Sequence, residues 1–324
     1  MTTTNTIAFV GEPGQLLYKK VPIPTAQDDS IVIKNQLAGV NYADIFHLGG
    51  TVNLTGSDIL GLESVGEVVA VGKKVTQYKV GDRVVNSAGL SFAEYSEIPS
   101  TKFYRVTLLP DDISYETAIG LGLQALTAYT LAFKDYTVQK GDYFLVHAAA
   151  GGVGLMLIQL LRNQGGNVIG TVSSEEKANV AKKFGAHYTI DYSKEDIAER
   201  VKTITNGEGV HVVYDSVGKA VYDANIESLR PFGVLVYYGF ASGAIDRGLS
   251  DKFFFNSLRI QASAFPNHQK QGDGIQEWWY KLFDMFRSGA LKTHITKTYT
   301  LDQVSEALED IGSRKTTGKL IIKM

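Results

Sequence analysis

The 324-residue sequence predicts an α/β protein with two domains, one built on a doubly wound parallel sheet and one rich in short strands. In residues 143–264, apolar strand-like segments alternate with helical segments, and such alternation requires crossover connections and a parallel sheet. In residues 1–125, short segments of alternating polarity are separated by Gly-Asp and Pro turns. That pattern is typical of a compact all-β unit of barrel type.

The parallel-sheet domain begins with a strand, a glycine-rich turn and a helix. Residues 143–146 (YFLV) predict the strand, residues 147–154 (HAAAGGVG) the turn, and residues 155–161 (LMLIQLL) the helix. This arrangement places a pyrophosphate on the free N–H groups at a helix N-terminus. The turn departs from G-x-G-x-x-G because Ala149 occupies the first glycine position. The prediction of a dinucleotide site therefore also depends on the units that follow.

Further strands and helices follow the glycine turn in regular order. They are a strand at 167–172, a helix at 175–184 ended by Gly185, a strand at 187–190, a helix at 195–205, and strands at 210–215, 234–238 and 258–264. The turn lies on the first strand–helix junction of the series, where a doubly wound domain binds its nucleotide. An α/β domain that binds no nucleotide is the alternative.

The β-rich domain is predicted to have two segments. Its first segment shows strand patterns at 31–35 and 65–71 and a turn leading into a strand at 81–85, and a helix over 115–133 links it to the parallel-sheet domain. The C-terminal tail predicts a helix at 274–288, a strand at 293–299, a helix at 301–313 and a strand at 319–323. We expect this tail to return to the β-rich domain. The predicted bounds are residues 1–125 with 265–324, and residues 126–264.

The end of the second strand of the parallel sheet predicts which dinucleotide binds. In an NAD site an acidic side chain at this place accepts hydrogen bonds from the ribose 2′-OH. Here the strand is followed by Ser173 and Ser174, and Lys177 lies on the next helix. Two charge-assisted hydrogen bonds to a 2′-phosphate would favour NADPH over NADH by roughly two to four decades. An ordinary solvated Lys177 is the alternative.

Composition excludes several classes of function. The net charge of −2 and the lack of basic runs argue against nucleic acid as the main ligand. No apolar stretch is long enough to span a membrane and residues 1–5 are polar, so we expect a cytoplasmic protein. The chain has no cysteine and its histidines are isolated, which predicts no metal site. The histidines are His47, His147, His187, His211, His268 and His294.

An ordered set of segments resembles a known family. The segments are residues 39–44 (GVNYAD), 61–63 (GLE), 149–154 (AAGGVG), 214–218 (YDSVG) and 313–319 (SRKTTGK). Together they resemble the zinc-free quinone oxidoreductases of the medium-chain dehydrogenase/reductase superfamily, the zeta-crystallin group. The resemblance implies a GroES-like catalytic domain, a Rossmann domain, NADPH, quinone substrates with ortho-quinones favoured, and a homodimer. Zinc-dependent relatives would carry cysteine at Asn41 and histidine at Leu62.

The resemblance also implies which residues form the site. For the nicotinamide end they are Asn41, Asp44 and Thr127. For the pyrophosphate they are Gly151, Gly152, Val153 and Gly154. For the 2′-phosphate they are Ser173, Ser174, Lys177, Tyr192 and Arg314. For the nicotinamide and its ribose they are Tyr238, Gly239, Phe240 and Ser242. Ser216 is a further predicted coenzyme-binding residue. The candidates for the substrate pocket are Asn41, Tyr42, Asp44 and Phe46, and Phe46 stands where bacterial relatives carry tyrosine.

Several of these residues have a purely structural alternative. Asn41 can satisfy a turn, Asp44 can cap the helical turn after it, Tyr238 can pack in a strand, and Arg314 can lie at a solvated helix end. Without a metal or an acid–base dyad, catalysis would rest on holding the acceptor against C4 of NADPH, an effect worth up to about 7–11 kcal/mol.

Two other functions remain open. One is reduction of the carbon–carbon double bond of enones or alkenals, with Tyr42 as the proton donor. The other is a nucleotide-binding structural or RNA-binding protein. We also expect a homodimer that forms through residues 258–264 as an exposed edge strand.

Overall fold

The computed structural model describes residues 4–246, 248, 250–270 and 274–324. Its strands are β1 (Thr4–Val10), β2 (Leu16–Pro22), β3 (Ser30–Val40), β4 (Glu63–Val71), β5 (Arg83–Asn86), β6 (Tyr95–Pro99), β7 (Val106–Leu108), β8 (Tyr143–Val146), β9 (Asn167–Val172), β10 (Tyr188–Asp191), β11 (Val210–Asp215), β12 (Leu229–Tyr237), β13 (Arg259–Ala262), β14 (Ile295–Thr300) and β15 (Lys319–Lys323). Its helices are α1 (Tyr42–Leu48), α2 (Tyr115–Thr130), α3 (Gly152–Asn163), α4 (Glu175–Lys183), α5 (Ile197–Ile204), α6 (Tyr222–Ser228), α7 (Asp251–Phe255), α8 (Phe265–Lys270), α9 (Ile275–Arg287) and α10 (Val304–Gly312).

The chain forms two compact units. The β-rich unit comprises Met1–Leu123, Gln271–Asp284 and Thr293–Met324, and the parallel-sheet unit comprises Gln124–Lys270 and Met285–Lys292. The sequence prediction placed all of residues 265–324 in the β-rich domain, whereas residues 265–270 and 285–292 belong to the parallel-sheet unit. Residues 265–270 form a helix that directly follows the last strand of the parallel sheet. Residues 285–292 lie further along the chain but in the same unit. They are held there by side chains of α3, because Gln159 exchanges hydrogen bonds with the backbone of Lys292 and Asn163 donates to the carbonyl of Ala290.

The parallel-sheet unit contains the doubly wound sheet that the sequence predicted. Within the described residues the strand order is β10-β9-β8-β11-β12-β13, and every neighbouring pair is parallel. Both faces of this sheet are covered, so its central strands are apolar runs and Leu145, Ile169 and Val213 are fully buried. The order reverses between β8 and β11, which is the switch point where such sheets bind ligands.

The β-rich unit is built around β3, which is buried along most of its length. The described strands follow the order β14-β15-β3-β4-β5-β7, β6 also pairs with β3, and β1 and β2 form a separate hairpin. The register aligns Leu320 of β15 with Val40 of β3, and Gly39 of β3 with Glu63 of β4. The C-terminal strand therefore lies beside the end of β3 that leads into α1.

The linking helix differs from the sequence prediction. A continuous helix over 115–133 was expected, but α2 is interrupted at Gly122, which has φ 55° and ψ −165°. A Cβ at Gly122 would lie 2.6 Å from Oε2 of Glu63, so a larger residue would displace this carboxylate. The helix ends at Thr130 and a π-helical turn follows at Leu131–Asp135. In the described part of the chain, no helix is both long and apolar enough to cross a bilayer.

Candidate functional site

The glycine turn after β8 leads into a helix N-terminus that suits an anion. Gly151 is the N-cap of α3 and supplies no side-chain oxygen. The first turn of any α-helix leaves N–H groups without intrahelical partners, here those of Gly152, Val153 and Gly154. These N–H groups and the helix dipole together favour a phosphate group. The turn predicted for the pyrophosphate therefore has the backbone arrangement that such binding requires.

The structure also explains the alanine in the first glycine position. The methyl group of Ala149 faces β9, where a Cβ at Gly170 would lie only 2.6 Å from it. Because position 170 is glycine, the methyl group of Ala149 fits between the turn and β9, and position 149 need not be glycine. At the third glycine position, a Cβ on Gly154 would lie 2.5 Å from the carbonyl oxygen of Ala148. Close approach of the turn to the helix therefore depends on Gly154.

The residues predicted for the 2′-phosphate lie at the carboxyl ends of β9 and β10. Ser174 is the N-cap of α4, and its hydroxyl accepts a hydrogen bond of 3.3 Å from the N–H of Lys177. Burial lowers the pKa of Lys177, and Glu176 acts in the opposite direction. The N–H of Tyr192 donates to the carbonyl of Val172, so the residue after β10 lies beside Ser173. The parallel-sheet unit thus brings together every predicted 2′-phosphate residue except Arg314.

Arg314 and Thr127 lie on different units. Arg314 belongs to the β-rich unit, where it is exposed after α10 and has φ 61°. Thr127 is half-buried on α2 in the parallel-sheet unit, three residues after Gln124. Positions three apart share a helix face, and the amide of Gln124 fills the space next to Gly152. Thr127 is therefore on the face of α2 that faces the start of α3.

Hydrogen bonds and close packing join the two loops at the ends of β11 and β12. Asp215 accepts hydrogen bonds from the N–H groups of Val217 (2.7 Å) and Gly218 (2.9 Å). Ser242 donates to the carbonyl of Val217 through both its N–H and its hydroxyl. Gly239 lies so close to Ser216 that a Cβ would be 2.9 Å from its carbonyl oxygen. The predicted residues Ser216, Tyr238, Gly239, Phe240 and Ser242 therefore form one continuous group.

A buried polar network that the sequence did not predict joins these loops to the glycine turn. His147 lies 2.9 Å from the hydroxyl of Thr171 through Nδ1 and 2.6 Å from Oδ1 of Asn225 through Nε2. Asn225 donates in turn to Asp215. Burial lowers the pKa of His147, so the ring is neutral at neutral pH, with Nε2 donating and Nδ1 accepting. The sequence indicated only that His147 lies on a strand.

In the β-rich unit, the candidate pocket residues fall on two faces of α1. Tyr42 and Phe46 are half-buried, and their rings meet edge to face with centroids 5.4 Å apart. Asn41 and Asp44 are buried, and Oδ2 of Asp44 accepts a 2.8 Å hydrogen bond from the N–H of Asn41. Burial raises the pKa of Asp44 to about 7. Through its hydrogen bond with Asn41, Asp44 therefore takes part in capping α1, which was its structural alternative in the sequence analysis.

Beneath this helix lies a buried ion pair that the sequence did not identify as part of a site. Lys319 of β15 donates to Oε1 of Glu63 on β4, and both side chains are at most 1% exposed. Asn41 connects to both residues, since its Nδ2 donates to Glu63 (2.9 Å) and its Oδ1 accepts from Lys319 (3.2 Å). The other oxygen of Glu63 accepts a 2.6 Å bond from the N–H of Leu123. Each of the two residues begins a strand that carries a second, exposed charge, Glu67 in β4 and Lys323 in β15, so no signal in the sequence singled out this pair.

A β-rich unit that holds both chain ends, joined to a doubly wound unit with a glycine turn after its first strand, defines a medium-chain dehydrogenase/reductase. Family models agree with this class. One described as the alcohol dehydrogenase GroES-like domain matches residues 27–142, and one described as zinc-binding dehydrogenase matches residues 152–286. Among the described residues, no three His, Cys, Asp or Glu side chains are grouped as a metal site requires.

Similar proteins define the family more closely. The chain is 35% identical to a 2-haloacrylate reductase from a Burkholderia species, over 96% of each chain, and 35% identical to a quinone oxidoreductase from Pseudomonas aeruginosa, over 97% of each. The solved structure of Escherichia coli quinone oxidoreductase complexed with NADPH superposes with a TM-score of 0.92 at 32% identity, over 99% of this chain and 100% of that one. The chain belongs to the quinone oxidoreductase family of this superfamily. The sequence predictions of family, fold class and oxidoreductase are confirmed.

Proposed function

We propose that this protein uses NADPH to reduce quinones, with ortho-quinones favoured. The choice of coenzyme rests on the residues that follow β9. They are Ser173, Ser174 and Lys177, and they stand where an NAD site would have a carboxylate. An acid there would repel a 2′-phosphate, whereas hydroxyl and ammonium groups bind it. The Pseudomonas aeruginosa relative is named a quinone oxidoreductase, and the Escherichia coli structure holds NADPH.

The residues of the parallel-sheet unit fit this coenzyme. The uncapped first turn of α3, at Gly152, Val153 and Gly154, would hold the pyrophosphate, and the loops at Ser216 and Gly239 would hold the nicotinamide ribose. When bound, NADPH supplies a hydride, and a quinone that takes this hydride and one proton becomes a hydroquinone. The protein's contribution is to bind and orient the reactants. We therefore expect no single pocket substitution to lower turnover a thousandfold.

We further propose that the reaction needs no zinc. Asn41 and Leu62 occupy the positions where zinc-dependent relatives would carry ligands. The amide of Asn41 is already bonded to Glu63 and Lys319, and an ammonium group beside a metal position would repel a dication. These residues therefore do not fit a zinc ion. Stoichiometric zinc in the purified protein, together with loss of activity on chelation, would contradict this part of the proposal.

The decisive experiment is a titration with NADPH and NADH, followed by a panel of acceptors. We expect tighter binding of NADPH and faster turnover with phenanthrenequinone than with para-benzoquinone. Equal affinity for both coenzymes would refute the assigned 2′-phosphate site. NADPH binding without turnover of any acceptor would favour a structural or RNA-binding protein, which near-neutral charge otherwise disfavours.

A second candidate function is reduction of a conjugated carbon–carbon double bond. It is favoured by the relative named 2-haloacrylate reductase, because a haloacrylate is an alkene conjugated to a carboxylate. Such a reduction must protonate an enolate, and the half-buried Tyr42 is the candidate donor. An alkenal turned over faster than any quinone, with loss of this activity in Tyr42→Phe, would establish this function instead.

We also propose that the protein is a homodimer. β13 is one of the two edge strands of the parallel sheet among the described residues, and all of its residues are exposed. An exposed edge strand is a template for pairing with another chain. Phe254 and Phe255, on the helix that precedes β13 in the chain, are each 78% exposed. Sedimentation at micromolar concentration should give a dimer, and a monomer would contradict the proposal. A cytoplasmic location stays a prediction.

A further inference from the structure

The buried pair of Glu63 and Lys319 is not explained by stability alone. Taking two opposite charges out of water is costly for each ion, and replacing such a pair by apolar residues is often neutral or stabilising. The fold nevertheless makes room for it. A Cβ on either Gly39 or Gly122 would collide with the carboxylate of Glu63. Glycines on two separate elements thus accommodate one carboxylate, which indicates a specific role.

The pair determines the orientation of the Asn41 amide. Nδ2 of Asn41 donates to Glu63 and, at 3.3 Å, to the carbonyl of Gly39, and its Oδ1 accepts from Lys319. Both donors and the acceptor of the amide are therefore engaged. Removal of the ammonium or of the carboxylate would leave a buried amide group unpaired, and an unpaired buried polar group rearranges or takes up water. The rotamer of Asn41 thus depends on residues 22 and 278 positions away.

The two charges of the pair also shift the pKa of Asp44, in opposite directions. Burial raises the pKa of Asp44 to about 7, Lys319 lowers it and Glu63 raises it. The backbone N–H groups of Asn41 and Gly61 lower it further. The charges thus come from β15 and β4, while α10 approaches α1 through Gly312 against Ile45. Oδ1 of Asp44 is buried and has no hydrogen-bond partner among the described residues.

We propose that Glu63 and Lys319 are positioning residues for the start of α1, where they fix the amide of Asn41 and set the electrostatic environment of Asp44. This inference rests on the proposed function, in which Asn41 and Asp44 face the nicotinamide. In a zinc-dependent relative the residue at position 41 would bind a metal cation. Here Asn41 binds the ammonium of Lys319, a cation supplied by the chain itself.

The first experiment follows Asp44 in the protein without coenzyme. Aspartate labelled with ¹³C at the carboxyl carbon gives a titration curve for each residue by NMR, and loss of one signal in Asp44→Asn assigns Asp44. We expect Lys319→Met to move the Asp44 midpoint to higher pH and Glu63→Gln to move it to lower pH. The double variant should titrate between the two. Glu67→Gln and Lys323→Met change exposed residues on the same two strands and serve as controls.

The second experiment separates positioning from coenzyme binding. Lys319→Met should lower kcat for the quinone by about tenfold to a hundredfold, the loss expected from misplacing a group that orients a reactant. The KM for NADPH should stay within about twofold, because the residues assigned to its phosphate groups, apart from Arg314, lie in the parallel-sheet unit. The pH profile of kcat/KM should move in the same direction as the NMR midpoint. The controls should leave both constants unchanged.

The outcomes distinguish this inference from the proposed function. Opposite shifts of the Asp44 midpoint support the positioning role even if no quinone is turned over, in which case only the proposed function fails. Shifts in the same direction, or none, overturn the inference while an active wild type leaves the proposed function standing. If either single variant fails to fold, the positioning role is tested by the kcat of the double variant, which removes both charges together. Wild-type kcat in the folded double variant would refute the positioning role.

Discussion

The two candidate sites of this molecule are built on different principles. In the parallel-sheet unit, the part of the site assigned to the pyrophosphate and the ribose is made mainly of backbone, since the N–H groups of α3 and the loop at Ser216 depend on the position of the chain and little on side chains. The site in the β-rich unit is made of side chains that arrive from α1, β4 and β15. A backbone site is therefore encoded locally, whereas a side-chain site is encoded by the topology of the sheet.

The largest expected effect tests the backbone site. In Gly154→Ala the added methyl group would lie 2.5 Å from the carbonyl oxygen of Ala148, and because this atom is backbone the whole turn must move. Misplacing the N–H groups at the pyrophosphate should raise the Kd for NADPH at least about a hundredfold. The quenching of protein fluorescence by NADPH measures this Kd.

Gly248→Ala is the matched control for that variant, because a Cβ there would meet no atom of the described residues within 4 Å. Its affinity for NADPH should equal that of the wild type. An unchanged Kd in Gly154→Ala would mean that the turn is not the pyrophosphate site. A matched loss in both variants would indicate a general effect of alanine on folding.

The difference between the two sites also explains what the sequence predicted. The glycine turn, the alternating strands and the serines after β9 lie in one continuous segment, so local patterns were sufficient. Glu63 and Lys319 meet only because β15 pairs with β3 and β3 pairs with β4. Residues 63 and 319 carry no local pattern that would connect them. The break in α2 at Gly122 was missed for the same reason, since the carboxylate that lies against Gly122 comes from the distant residue Glu63.

The next prediction tests the side-chain site through the pH dependence of stability. The pKa of Asp44 is about 7 in the folded protein, against an ordinary value of 3.8. At a pH between these two pKa values, Asp44 is protonated in the folded state and ionised in the unfolded state. The free energy of unfolding contributed by Asp44 is therefore fully present below about pH 4 and falls as pH rises to about 7, by a few kcal/mol.

Asp44→Asn should remove this contribution, because asparagine stays neutral and its oxygen can still accept from the N–H of Asn41. Urea unfolding from pH 5 to pH 8 measures it as the difference in unfolding free energy between the variant and the wild type. This difference should shift in favour of the variant as pH rises. Asp111→Asn, at an exposed position, is the control and should show no such trend. A pH-independent difference for Asp44→Asn would show that Asp44 stays ionised across this range.

The smallest expected effect returns to the parallel-sheet unit, where one side chain adds to the backbone site. Lys177→Ala removes an ammonium from the end of β9, and the loss of one charge-assisted hydrogen bond should raise the KM for NADPH about tenfold to a hundredfold. The KM for NADH and the value of kcat should change little, because NADH has no 2′-phosphate. Lys183→Ala, in the last turn of the same helix, is the matched control. An equal rise in KM for both coenzymes would mean that Lys177 supports the fold of the site and does not recognise the phosphate, and the preference for NADPH would then have to come from Ser173, Tyr192 or Arg314.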